Sequence, residues 1–165
     1  PAALGNSWFV NNIIYVNDDN AEIDSLTTFD PSGDVIINKQ FQEYVGNLNP
    51  SKNGSIDLIS YSPNKLEYKS NTKGEQLAVF SEVYYGPNKG WQAYLDGQPV
   101  DHIRVDYLLR GLKVPDGEHT IIFEFKPKAY FAGEKVSLVS SLILLLLLGY
   151  VIYSQAVKIK NKENE

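Results

Sequence analysis

The chain has 165 residues, with 15 Lys and Arg against 20 Asp and Glu, no Cys and no Met. That length suits one domain of ordinary size plus an appendage, and the lack of Cys excludes disulfide scaffolds, Cys-ligated zinc and thiol nucleophiles. A net charge of −5 argues against a nucleic-acid partner, which needs a basic face, and the missing initiator Met suggests a processed chain or a piece of a longer one.

Residues 1–48 read as a small mixed α/β segment. Ser7-Trp8-Phe9-Val10 and Ile13-Ile14-Tyr15-Val16 are strand material, bounded by the polar run Asn17-Asp18-Asp19-Asn20. Asp18, Asp19 or Asn20 can cap a short helix carrying Ala21, Ile23 and Leu26, with Glu22 in its first turn. Asp30-Pro31-Ser32-Gly33-Asp34 is a turn signal and Val35-Ile36-Ile37 a further strand, after which Val45–Gly54 reads as a connector.

Residues 53–127 then alternate strands with turns. Ser55–Tyr61 and Lys65–Ser70 flank Ser62-Pro63-Asn64 as a hairpin, and Gln76–Tyr85 is a longer strand. The turn Gly86–Gly90 leads into Trp91–Leu95, and Asp96-Gly97 is a strong hairpin pair because glycine accepts positive φ. Val100–Val105, Leu108–Val114 and His119–Phe125 follow, the last with Ile121, Phe123 and Phe125 on one face. The expected fold is mostly β: an antiparallel β-sandwich of seven or eight strands, with the mixed segment packed on it.

The chain closes on an apolar run. Val136–Val157 holds 22 residues without a charge, including Leu142–Leu148 in unbroken apolar succession. As a helix it is roughly 33 Å long, enough to cross a hydrocarbon layer of about 30 Å. Tyr130, Phe131, Tyr150 and Tyr153 sit towards its ends as interfacial aromatics do, and a core helix of this length would keep a polar stripe. One C-terminal transmembrane helix, 136–157, with a basic tail, 158–165, is therefore expected. Lysines flank both ends, so orientation follows the acidic balance of the preceding domain, twelve basic against eighteen acidic residues, and places that domain outside and the tail in the cytoplasm. Only about nine residues separate Lys126 from the span, which sets the sandwich close to the bilayer. Ser137, Ser140 and Ser141 are small enough for neighbouring helices to approach.

No catalytic constellation emerges. His102 and His119 lack a second His at metal spacing and read as exposed strand residues, so no metal site and no cofactor are expected. Asn17–Asn20 lacks the glycine and glutamate of an EF-hand loop. Asp96 and Asp116 are turn residues before glycine, and nothing pairs Asp101 with Asp106 for glycosidic chemistry. The aromatic residues around Gly86–Gly90 lean towards binding: Tyr84, Tyr85 and Tyr94 are candidate contacts to a glycan or a partner. Strand alternation turns Trp91, Ala93 and Leu95 towards the core and leaves Tyr94 with Gln92 outside, so Tyr84 and Tyr94 are the better candidates for exposed contacts.

Phe80-Ser81-Glu82-Val83-Tyr84-Tyr85, then Gly90-Trp91-Gln92-Ala93-Tyr94-Leu95-Asp96-Gly97, resembles the C-terminal region of YfhO-like bacterial membrane proteins. The likeness continues through Arg110, Val114-Pro115-Asp116-Gly117-Glu118-His119-Thr120, Phe123–Pro127 and Gly133–Ser137, and includes Ala3–Phe9 and Phe29-Asp30-Pro31. It implies a polytopic parent of the GT-C glycosyltransferase type, moving a sugar from a polyprenyl-phosphate donor to an envelope acceptor outside the bacterial cytoplasmic (inner) membrane. The proposed catalytic carboxylates of such enzymes lie in an early loop that this chain does not include, so no catalytic residue carries over. Gly90, Trp91, Asp96, Gly97, Pro115 and Gly117 carry over as fold-defining positions. The partners implied are the bilayer, the parent's other helices and a glycan or lipid-linked sugar; the alternative is a non-enzymatic module docking an envelope protein.

Overall fold

A computed structural model describes residues 3–86 and 89–162. Among them the strands are β1 (Ser7–Phe9), β2 (Asn12–Val16), β3 (Asp34–Asn38), β4 (Gly54–Ser62), β5 (Lys65–Thr72), β6 (Gln76–Val83), β7 (Trp91–Leu95), β8 (Gln98–Val100), β9 (Ile103–Val105), β10 (Leu109–Val114) and β11 (Gly117–Phe125). The helices are α1 (Asp19–Ser25), α2 (Gln42–Val45) and α3 (Lys128–Lys162). Two separate units result, Pro1–Lys126 and Pro127–Glu165.

In the first unit two antiparallel sheets face each other, one ordered β1-β6-β10-β9 and the other β4-β5-β11-β7-β8. Their period-2 alternation sends Phe9, Ile56, Leu66, Tyr68, Phe80, Leu112, Ile121 and Phe123 into a shared core. Tyr68, Phe80 and Phe123 meet edge-to-face there, with Tyr68–Phe80 and Phe80–Phe123 centroids 4.8 and 4.9 Å apart. The fold is thus the mostly-β sandwich expected. A third layer covers the opposite face of the β6 sheet: β2 and β3 pair in parallel through α1, and Val10, Val35, Ile37 and Val45 close over Leu77, Val79, Ile103 and Val105. This double cover explains the unbroken apolar run Leu77-Ala78-Val79-Phe80, fully buried on both faces.

Several local expectations change. Val100–Val105 is not one strand; β8 belongs to one sheet and β9 to the other, and Asp101-His102 carries the chain between them. The crossover is driven by burial, because His102 turns inward between aromatic rings. The long strand Gln76–Tyr85 stops at Val83, where a register shift between Leu109 and Arg110 breaks its ladder with β10. The stretch before the Val45–Gly54 connector holds an unforeseen tight turn, Lys39–Phe41, and α2. Asp18 caps α1, its Oδ1 accepting from Ala21 N at 2.9 Å. The buried side of α1 departs from the apolar reading at two positions: Ile23 is 43% exposed and Glu22 fully buried, while Ala21 and Leu26 are half-buried. A salt-bridge partner makes that possible, as described below.

In the second unit, the uncharged middle of α3 has no polar stripe, and Gly133–Ser154 is long and apolar enough to cross a membrane. The helix runs unbroken through Glu134 and Lys135 into the uncharged stretch. Ser140 and Ser141 donate to the carbonyls of Val136 and Ser137 at 2.8 and 2.9 Å, so both hydroxyls are satisfied within the helix.

Candidate functional site

Where β7 begins and β11 ends, Trp91 and Phe125 are paired in register, with rings 5.5 Å apart. With Tyr85, Lys89 and Pro63 they line an open pocket of about 390 Å³. Gly90 makes this approach possible: its φ is +102°, and a Cβ there would lie 2.6 Å from Phe125 Cε2. Its carbonyl also accepts from Lys126 N at 2.6 Å, tying the loop to the end of β11. Tyr85 is 49% exposed, whereas Trp91 is half-buried, one part of its ring open to the pocket.

Behind Trp91 lies Arg110, only 1% exposed. Its guanidinium carbon sits 4.3 Å from the Trp91 ring centroid and 5.1 Å from that of Phe123. Nε donates to Val83 O at 2.9 Å, while Nη1 has no protein partner, and burial pulls its pKa below the ordinary value. The cation thus packs directly against the Trp91 ring that lines the pocket. Next to it His102 fits between Tyr84 and Phe123, centroids 5.4 and 5.5 Å away. His102 is therefore not the exposed strand residue expected from the sequence. Burial first, and the Arg110 charge second, push its pKa down to about 4, so it is neutral at pH 7.

The three candidate tyrosines do not converge. Tyr85 joins the pocket. Tyr84 turns inward against His102 and Phe41 instead of lying exposed, because its N–H donates to Leu108 O at 2.7 Å and its ring fills the crossover. Tyr94 lies on the other face of the sheet, half-buried, with Lys126 Nζ 5.5 Å from its ring centroid. Trp91, Ala93 and Leu95 do face the interior. Phe125 and Arg110 were the residues not singled out as contacts, although a signal existed: each shares the alternation phase of buried neighbours, Ile121 and Phe123 for one, Leu112 and Val114 for the other.

At the opposite end of β11, Asp96 and Gly97 form the expected turn, with φ of +50° and +80°. Asp96 Oδ2 lies 2.7 Å from His119 Nδ1, and His119 Nε2 lies 3.2 Å from Asp116 O. Both ring nitrogens face acceptors, an arrangement only the imidazolium satisfies, and the Asp96 hydrogen bond raises the His119 pKa. Pro115 O accepts from Thr72 Oγ1, and Gly117 opens β11 with φ +111°. These residues staple strands. Among the described residues no three His, Asp or Glu side chains gather as a metal site.

No curated protein and no solved structure matches the chain. The family model described as "Bacterial membrane protein YfhO" matches residues 35–137, from β3 through the first residues of the membrane-capable span. That match covers more than half of the sequence, and with a β-rich unit joined to one apolar helix it shows that the chain belongs to the YfhO family of bacterial membrane proteins.

Proposed function

We propose that this β-sandwich and its helix serve, on the extracytoplasmic side of the bacterial cytoplasmic membrane, as part of a polytopic GT-C-type glycosyltransferase. The sandwich supports transfer of a sugar from a polyprenyl-phosphate donor to an envelope acceptor, and the chemistry belongs to carboxylates elsewhere in the parent. The observation that carries this reading is the open pocket of Tyr85, Trp91, Phe125 and Lys89. Aromatic faces suit the C–H face of a pyranose, the Tyr85 hydroxyl can bond a sugar hydroxyl, and Lys89 can meet an anionic group on the same ligand. Arg110, locked behind Trp91, holds the platform in place before the ligand arrives. The test is titration of the full chain in nanodiscs with bacterial envelope oligosaccharides, read by isothermal titration calorimetry. Binding weakened at least tenfold by Tyr85→Ala and by Trp91→Ala supports the role, and a flat titration at high sugar concentration overturns it.

A second reading is favoured by a separate observation. Ile59 and Tyr61 are 54% and 64% exposed on β4, which ends its sheet, and a register shift between Leu58 and Ser60 marks that strand. An apolar patch on a sheet edge suits docking of an envelope protein. Sugar-independent co-purification of a stoichiometric partner, lost in Tyr61→Lys, would favour that role.

A further inference from the structure

Buried carboxylates occupy the junction between the third layer and the sandwich. Glu22, fully buried on α1, accepts from Tyr107 N at 2.8 Å and from Arg104 Nη2 at 2.9 Å. Asp106, also buried, accepts at Oδ1 from Ile36 N at 2.7 Å, while its own N–H donates to Ile36 O at 2.9 Å. Asp106 thereby imitates one residue of a strand against β3. The turn it begins is strained, because Asp106 and Tyr107 are consecutive non-glycine residues with φ of +49° and +66°. Leu108, which follows, accepts from Tyr84 N, and Tyr85 is the next residue, at the pocket. The charges facing this junction are Asp19 and Glu22 from α1 and Arg104 from β9, with the Tyr107 ring 5.2 Å from the Arg104 guanidinium and Tyr84 nearby. Arg104 is already engaged by both Asp19 and Glu22.

The geometry points to a proton-operated latch: protonated Asp106, beside the Glu22–Arg104 pair, holds the β9–β10 turn in its strained form and so sets the Tyr85 side of the aromatic pocket. This regulation of the pocket rests on the function proposed for it; the latch itself does not. Ionisation adds a second negative charge to a buried site whose cation is already shared, and opening the turn relieves both repulsion and strain. Burial raises the Asp106 pKa to about 7, outweighing the Ile36 hydrogen bond that favours the carboxylate, with Glu22 adding like-charge repulsion; burial raises the Glu22 pKa as well. A carboxyl raised in the folded state binds its proton more tightly there, so the latch is strongest at low pH and weakens as pH rises towards 7.

The test is amide hydrogen exchange by mass spectrometry on the full chain in nanodiscs without sugar, between pH 5 and 8, corrected for intrinsic rates. Protection of residues 34–38 and 104–110, with 81–86 following, is expected to fall at least about tenfold across that range. Asp106→Asn keeps the acceptor and tolerates positive φ, and should remain protected throughout. Glu22→Gln should show a smaller fall, complete at lower pH. Protection independent of pH, or an Asp106→Asn chain as pH-sensitive as the parent, overturns the latch. A pH-dependent turn in a chain that binds no sugar sustains the latch and removes only the pocket's role; pH-independent exchange with intact sugar binding removes the latch alone.

Discussion

Asp96 and His119 illustrate how one side-chain pair sets a pH window. The His119 pKa is raised by its hydrogen bond to Asp96, and the Asp96 pKa is lowered by its hydrogen bonds to His119 and to Thr120 N. A histidine raised in the folded state contributes fully below its unfolded pKa, and the contribution is lost as pH rises through the higher folded value. The aspartate contributes above its unfolded pKa and fails as pH drops through its lowered one. The staple is therefore strongest in mildly acidic solution. Thermal melts of the full chain against His119→Gln should show a larger difference at pH 5 than at pH 9, and an equal difference would remove the imidazolium assignment. Gly90 sets a separate residue-scale constraint. Gly90→Ala should destabilise by about 1–3 kcal/mol, from a strained φ and a Cβ driven into Phe125, read as a lower urea midpoint.

At the scale of elements, α1 and β6 show which parts of the chain were readable. β6 was legible as a strand, but its four consecutive apolar residues made sense only once a layer was found on each side of its sheet. Helix α1 was legible from its cap, yet its apolar stripe misled, because Glu22 takes the buried position by pairing with Arg104, 82 residues away. Glu22→Ala should cost about 3 kcal/mol, since it leaves the Tyr107 amide unpartnered and Arg104 paired with the exposed Asp19, whereas Ile23→Ala should stay within about 0.5 kcal/mol. Equal urea midpoints for the two variants would refute this account of the helix. Phe80→Ala, at the centre of the edge-to-face rings, should cost about 3–5 kcal/mol by the same measurement.

For the whole molecule, a β-rich unit and an apolar helix make a membrane-associated chain. Leu145, near the middle of Gly133–Ser154, is the position most sensitive to charge. Leu145→Arg should add about 2.5–3.5 kcal/mol to insertion and shift the chain from the membrane pellet to the supernatant after alkaline extraction. Unchanged retention would show that this helix does not by itself hold the chain in the bilayer.

Local and periodic features were determined by the sequence alone. The Asp18 cap, the Asp96-Gly97 turn, the inward phase of Trp91 and Ala93 and the apolar span each depend on residues a few positions apart, where backbone sterics and side-chain periodicity act directly. What tertiary structure decided were the pairings between distant segments. It split β8 from β9 across two sheets, buried His102, turned Tyr84 inward and brought Phe125 to Trp91. It also placed Asp106 against Ile36. Each depends on which surfaces exclude water together, and a buried charge such as Glu22 becomes tolerable only when its distant partner, Arg104, arrives.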